Sequence, residues 1–139
     1  MLGPAARPAD HAGLAVLSLA ECLELIACQP VGRMAFARDG DMEVLPVNHC
    51  MVGQTVALRT AGAKITAAFW GSLVAFEVDS YDARRRTGWS VLVKGRAERV
   101  DDEAMLARLE ATGLRTWSPS ASRADWVVIH ADEVSGRRL

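Results

Sequence analysis

Cysteine is scarce and unpatterned. Cys22, Cys28 and Cys50 form an odd set with no C-x-x-C among them. That count argues against a disulfide framework or a zinc knuckle. The thiols read instead as small apolar residues in a reducing compartment. His11, His49 and His130 are equally scattered and show no metal-ligand spacing. Net charge is nearly absent, since 16 Lys and Arg face 17 Asp and Glu to leave −1. No global field then favours nucleic acid or an anionic membrane, and neither is expected as a partner. The apolar run at 14–20 is too short to span a bilayer. Residues 1–13 lack the continuous apolar core of a signal peptide and read as a flexible leader, so the expected compartment is the cytoplasm.

Catalytic signatures are missing too. The chain has no nucleophile elbow, H-E-x-x-H, Walker A or G-x-G-x-x-G, and no Ser–His–acid set is evident. Chemistry from side chains alone is poorly supplied. A bound cofactor would solve that problem, because it carries the reactivity itself.

What is present is ordinary globular material. The 139 residues are 50% hydrophobic and 24% charged, enough for one domain with one core, here residues 14–139. Ser18 and Glu21 form a capping box, and Leu19, Leu23 and Ile26 give an apolar stripe, so a helix is predicted over 18–28, ended by Pro30. Short strands are predicted at 31–37, 42–52 and 55–60, a short helix at 61–69, and strands at 72–81 and 88–100. A helix follows Asp101-Asp102 and ends at Gly113. A last strand over 126–130 leads into a turn and a basic tail. Pro46 removes a ladder donor from the second strand, which marks an edge, bulge or split. Alternating βαβ units are missing, so the predicted fold is mainly β: an antiparallel barrel of about six strands with helices plugging or flanking it.

Four local features carry potential chemistry. At 58–68 (LRTAGAKITAA), Arg59 and Thr60 end a strand and Lys64 opens a helix. A planar fork, a hydroxyl and a point charge beside unpaired amides suit a phosphate; the same residues also suit a strand-to-helix corner with solvated charges. At 87–98, Trp89 and Ser90 begin a strand beside a glycine and can line a flat heterocycle, although a core tryptophan fits as well. At 44–49 (VLPVNH), Pro46, Val47 and Asn48 break a ladder and leave backbone and amide groups to read a ring edge; a simple bulge is the alternative. Trp117 in a loop and Arg138 near the chain end either serve a partner subunit's site or are a packed loop residue and a solvated tail.

Taken in order, the segments LxxxECLELIA, VGRMAF, LPVNH, LRT, Lys64, VAFEVD, GWSVLVKGRAE and SGRRL resemble the motifs of the pyridoxamine 5′-phosphate oxidase-like proteins of actinobacterial type. The likeness spans about residues 17–138. It implies an FMN-binding split barrel, with each flavin lying between the subunits of a homodimer. By that resemblance Arg59, Thr60 and Lys64 match the phosphate-binding stretch. Pro46, Val47 and Asn48 match the strand along the isoalloxazine edge, and Trp89 and Ser90 match the strand start that closes the pocket. Trp117 and Arg138 reach in from the partner chain. The implied function is an FMN-dependent oxidoreductase with a small-molecule substrate or electron donor. The alternatives are a non-catalytic flavin carrier or a deazaflavin-dependent reductase.

The chain also departs from the pattern. It ends in SGRRL where vitamin B6 oxidases carry Arg-Leu-Ala-Pro, which argues against oxidation of pyridoxamine phosphate. Position 49 is His where many relatives carry Tyr, and His49 is expected to be a wall residue rather than a proton donor.

Overall fold

The computed structural model describes residues 7–61, 71–116 and 124–139. In chain order the elements are β1 (Ala15–Val16), α1 (Leu19–Ala27), β2 (Val31–Arg38), β3 (Asp41–Val52), β4 (Thr55–Ala61), β5 (Leu73–Asp82), β6 (Thr87–Arg99), α2 (Glu103–Glu110) and β7 (Ala124–Arg138). Every strand pairing is antiparallel. The sheet order is β1-β7-β4-β3-β2-β5-β6, and β6 pairs back onto β7. Strands β2 to β7 therefore close into the expected six-stranded split barrel, with β1 added to one edge of β7.

The alternation predicted from sequence sets the two faces of each strand. In β2, Met34 and Phe36 are buried while Arg33 and Ala37 are exposed. Phe76 and Val78 of β5 and Val91 and Val93 of β6 fill the same interior. Helix α1 plugs one end. The Ser18 hydroxyl accepts from the Glu21 amide and the Glu21 carboxylate accepts from the Ser18 amide, closing the capping box. That fixes the helix so that Cys22 and Ile26 are buried in the barrel core. A second, smaller cluster lies outside the barrel, where Leu109 of α2 packs on Ala57, Trp126 and Val128.

The end of the chain differs from expectation. The predicted strand over 126–130 is one 15-residue strand, Ala124–Arg138, and the supposed turn is a bulge within it. Lys94 opposes Glu133 while Gly95 opposes Ala131, so Asp132 is the extra residue. Gly95 is required at this point, because a methyl group there would run into the His130 carbonyl. At the predicted helix over 61–69, Ala61 instead ends β4, and 62–70 lie outside the described residues. No helix among the described residues is long and apolar enough to cross a membrane.

Candidate functional site

The barrel splits between β3 and β4. Their ladder runs from Val52↔Thr55 to His49↔Leu58 and stops there. Beyond it β4 stays with β7 through Arg59↔Trp126 and Thr60↔Asp125, while β3 stays with β2 through Asn48↔Val31, Val47↔Gly32 and Pro46↔Arg33. Along Asp41–Asn48 the other edge of β3 has no strand partner among the described residues. Pro46 sits where the sequence called for an edge or split, since a residue without N–H costs no ladder bond there.

Asn48 and Arg59 are the first residues past the fork on its two sides, and both hold the segment after α2. The Asn48 side-chain amide donates to the Arg115 carbonyl at 3.2 Å. The Arg59 guanidinium donates to the Leu114 carbonyl at 3.3 Å and pairs with Glu110 at 3.2 Å. It also lies over the Trp126 ring, 5.2 Å from the centroid, at cation–π distance. Trp126 donates its indole N–H to the same Glu110 carboxylate at 2.9 Å. Arg59 is thus already engaged, except for a buried Nε without a partner. A ligand phosphate would compete with Glu110 for it.

Thr60 follows Arg59 on β4, so the two side chains leave the sheet on opposite faces. Arg59 faces α2, whereas Thr60 is buried. Val47 packs against the core, Pro46 is exposed and Asn48 is half-buried. Lys64 and Trp117 lie outside the described residues.

The second group of predicted residues stands at the other end of β7. Ser80, Trp89, Arg138 and Ala15 form one lateral row across β5, β6, β7 and β1. Trp89 packs partly on the core, and Ser90 points outward in the next row, with Asp79 and Arg137. Arg137 is tied to Asp10 at 2.9 Å. The amides of Leu14 and Ala12, together with Arg137, hold the Asp10 carboxyl below its usual range. Asn48 and Arg59 therefore cluster at one place, and Trp89 and Arg138 at another. Arg59 pairs with Trp126 near the start of β7, and Arg138 is its last residue. The two groups thus stand at opposite ends of β7.

His49 belongs to neither. It is 4% exposed, its Nε2 lies 2.8 Å from the Ile26 carbonyl, and its ring meets Phe76 edge-on at 5.1 Å. With Nε2–H donating to that carbonyl, Nδ1 is a buried acceptor without a partner. Burial lowers its pKa, against the pull of the Ile26 carbonyl. His49 is a core residue bracing α1, so the expected wall role is corrected to an internal one. Glu110 and Trp126, which clamp Arg59, were missed by sequence reasoning. Glu110 carries no local signal, since an acidic residue in the last turn of an exposed helix resembles any solvated one.

A model of the pyridoxamine 5′-phosphate oxidase family matches residues 18–138. An uncharacterised protein of Mycobacterium tuberculosis is 37% identical over 126 residues, covering 86% of this chain and 81% of that protein. The FAD-binding protein of Mycobacterium smegmatis has a similar structure, with a TM-score of 0.79 at 34% identity, covering 90% of this chain and 99% of the other. A conserved protein of unknown function from Corynebacterium diphtheriae gives a TM-score of 0.75 at 31% identity, covering 89% and 96%.

Proposed function

This chain belongs to the pyridoxamine 5′-phosphate oxidase-like family, and from that premise we propose that it binds a flavin between two copies of itself and acts as an oxidoreductase on a small molecule. The observation that carries the reading is the fork at His49↔Leu58. It leaves the β3 edge at Pro46, Val47 and Asn48 free to meet the polar rim of a ring. Arg59, across from it, is the group for the phosphate; Thr60 and Lys64 are assigned to the same phosphate by the family resemblance alone. Trp89, Ser90, Arg138 and Trp117 are the groups a second chain would bring. For Trp89, Ser90 and Arg138 that division is supported by their place at the end of β7 away from the fork.

The residues fit such a group in chemistry. Arg59 keeps one donor unpartnered, and the fork offers backbone groups without a ladder. A second feature supports the dimer. On the outer face, Val44, Ala35 and Ala75 align across three strands, with Met42 and Leu73 beside them. Met42 is 73% exposed and Leu73 64%, and both line a cleft of about 490 Å³. An exposed apolar surface of this kind calls for cover.

When bound, a flavin supplies the hydride or electron transfer that this chain's side chains lack. The chain's own part is to hold the phosphate, order the ring edge and exclude water. His49 is committed inside the core, so no proton donor is evident at the fork among the described residues, and a non-catalytic carrier is the second reading.

The test is mass spectrometry of the ligand released by heating the native protein, with its absorbance recorded beforehand. FMN or FAD in the supernatant is the expected result. A colourless protein that takes up only deazaflavin would overturn the flavin assignment. Bleaching by NADH or NADPH with turnover of an acceptor supports the enzyme; stable flavin without turnover supports the carrier. Sedimentation as a monomer at micromolar concentration would overturn the two-chain site.

A further inference from the structure

The segment before α1 is fastened to the barrel at several points. Arg7 pairs with Glu21, the acid that also closes the α1 capping box. Ala9 bridges to Ala15, and the Val16 amide donates to the Pro8 carbonyl at 2.8 Å, so the chain doubles back on itself. β1 then lies along the end of β7, with Ala15 opposite Arg138 and Val16 opposite Arg137. The Leu17 amide donates to the Gly136 carbonyl at 3.0 Å. Asp10 stands in the reversal and ties it to β7. Its Oδ1 accepts from the amides of Ala12 and Leu14, each at 2.9 Å, and its Oδ2 accepts from Nε of Arg137 at 2.9 Å. The Asp10 side chain is only 12% exposed, so this pair is better shielded than an ordinary surface one.

What this clasp acts on is the end of β7. β4 leaves β7 at Val56↔Ile129, so the last residues of β7 have β6 on one edge and β1 on the other. Without β1 they would be held from one side only, and residues so placed fray. Alternation puts Arg137 and Arg138 on opposite faces. With Arg137 tied to Asp10 on one face, Arg138 is set on the other, in register between Trp89 and Ala15. Arg138 itself makes no ion pair among the described residues.

We propose that Asp10 is a positioning residue: by fastening Arg137 and the turn before β1, it holds Arg138 in place for the flavin of the partner chain. The inference rests on the two-chain flavin reading and adds the segment before α1 to it. Asp10 touches no flavin; its effect on binding passes through Arg138.

The test is titration of FMN into the parent, Asp10→Ala, Arg138→Ala and the double variant, with circular dichroism to check the fold. Asp10→Ala is expected to bind at least ~3-fold more weakly than the parent, and no more weakly than Arg138→Ala. The double variant should match Arg138→Ala, because two residues acting through one contact are not additive. Asp10→Asn keeps an oxygen for the Ala12 and Leu14 amides and should fall between the parent and Asp10→Ala; it replaces Asp10→Ala if that chain does not fold. Mixing separates positioning from a general loss of stability. Asp10→Ala chains refolded with Arg59→Ala chains should regain one parent-like site per mixed dimer, since that site has an intact Arg59 and a well-placed Arg138. Refolded with Arg138→Ala chains, they should regain none. Parent-like binding by Asp10→Ala, rescue by both partners, or rescue by neither overturns the proposal. Failure of the flavin reading looks different: Arg138→Ala then binds like the parent, or Arg59→Ala and Arg138→Ala chains do not rescue each other, and the proposal falls with it.

Discussion

Glu110→Gln should loosen the fold slightly and tighten flavin binding, two effects of opposite sign. The Glu110 side chain is 56% exposed and the Arg59 side chain 26%, so their ion pair is only partly shielded. Such a pair is worth about 0.2–1 kcal/mol. Glutamine keeps an oxygen for the Trp126 indole N–H, so the second bond to that position survives. The expected cost in stability is therefore below ~1 kcal/mol. The guanidinium, relieved of its carboxylate, becomes available to a phosphate. A bond to a charged group contributes roughly 1.5–3 kcal/mol, and partial exposure reduces the gain to about one decade in affinity. Urea unfolding followed by tryptophan fluorescence gives the first quantity. Titration of FMN by quenching of its own fluorescence gives the second, with Arg59→Ala as the opposite control. Weaker or unchanged flavin binding in Glu110→Gln would remove Arg59 from the phosphate site and leave it as the pin that holds α2.

Three further outcomes follow from burial, charge and close approach. Glu77 is pushed up to about 7 by burial and by its bond and repulsion with Asp79, opposed by Arg33. The folded state holds that proton while the unfolded chain has lost it, so stability should fall as pH rises from about 4.5 to about 7. With 30% of the Glu77 side chain exposed, solvent screening limits this to roughly 1 kcal/mol, and Glu77→Gln should flatten the slope in urea melts taken across that window. His49 has the reverse sign. Its folded pKa is lowered, so the unfolded state binds more protons below about 6.5 and stability should drop as pH falls through that value; His49→Gln should lose the dependence. Gly95→Ala should cost at least ~2 kcal/mol by thermal denaturation, because the added methyl meets the His130 backbone rather than a movable side chain.

Most of the barrel was legible because strand and helix ends carry local chemistry. Ser18 and Glu21 fixed the start of α1 and Asp102 that of α2. The Asp39-Gly40 and Gly53-Gln54 turns bounded β3. What failed was β7. Asp132-Glu133 reads as a turn, yet Asp132 is a bulge, and the strand continues because it finds β6, a partner more than thirty residues away that no local pattern reveals. The site was legible as residue types but not as places. Pro46 announced the split, and Asn48 and Arg59 do meet at it. Nothing local indicated that Glu110 and Trp126 would occupy Arg59, or that Trp89 and Arg138 would stand at the far end of β7. His49 looked like a site residue because it follows Asn48, but alternation turns it inward.

The two-chain site is tested most directly by mixing variants. Chains carrying Arg59→Ala and chains carrying Arg138→Ala are each expected to bind FMN at least ~10-fold more weakly than the parent. When the two are unfolded together and refolded, a mixed dimer holds one site with both arginines intact and one with neither. Recovery of parent-like affinity, at up to one flavin per mixed dimer, is the predicted result. Affinity in the mixture no better than in either variant alone would show that the two arginines do not serve one flavin across two chains.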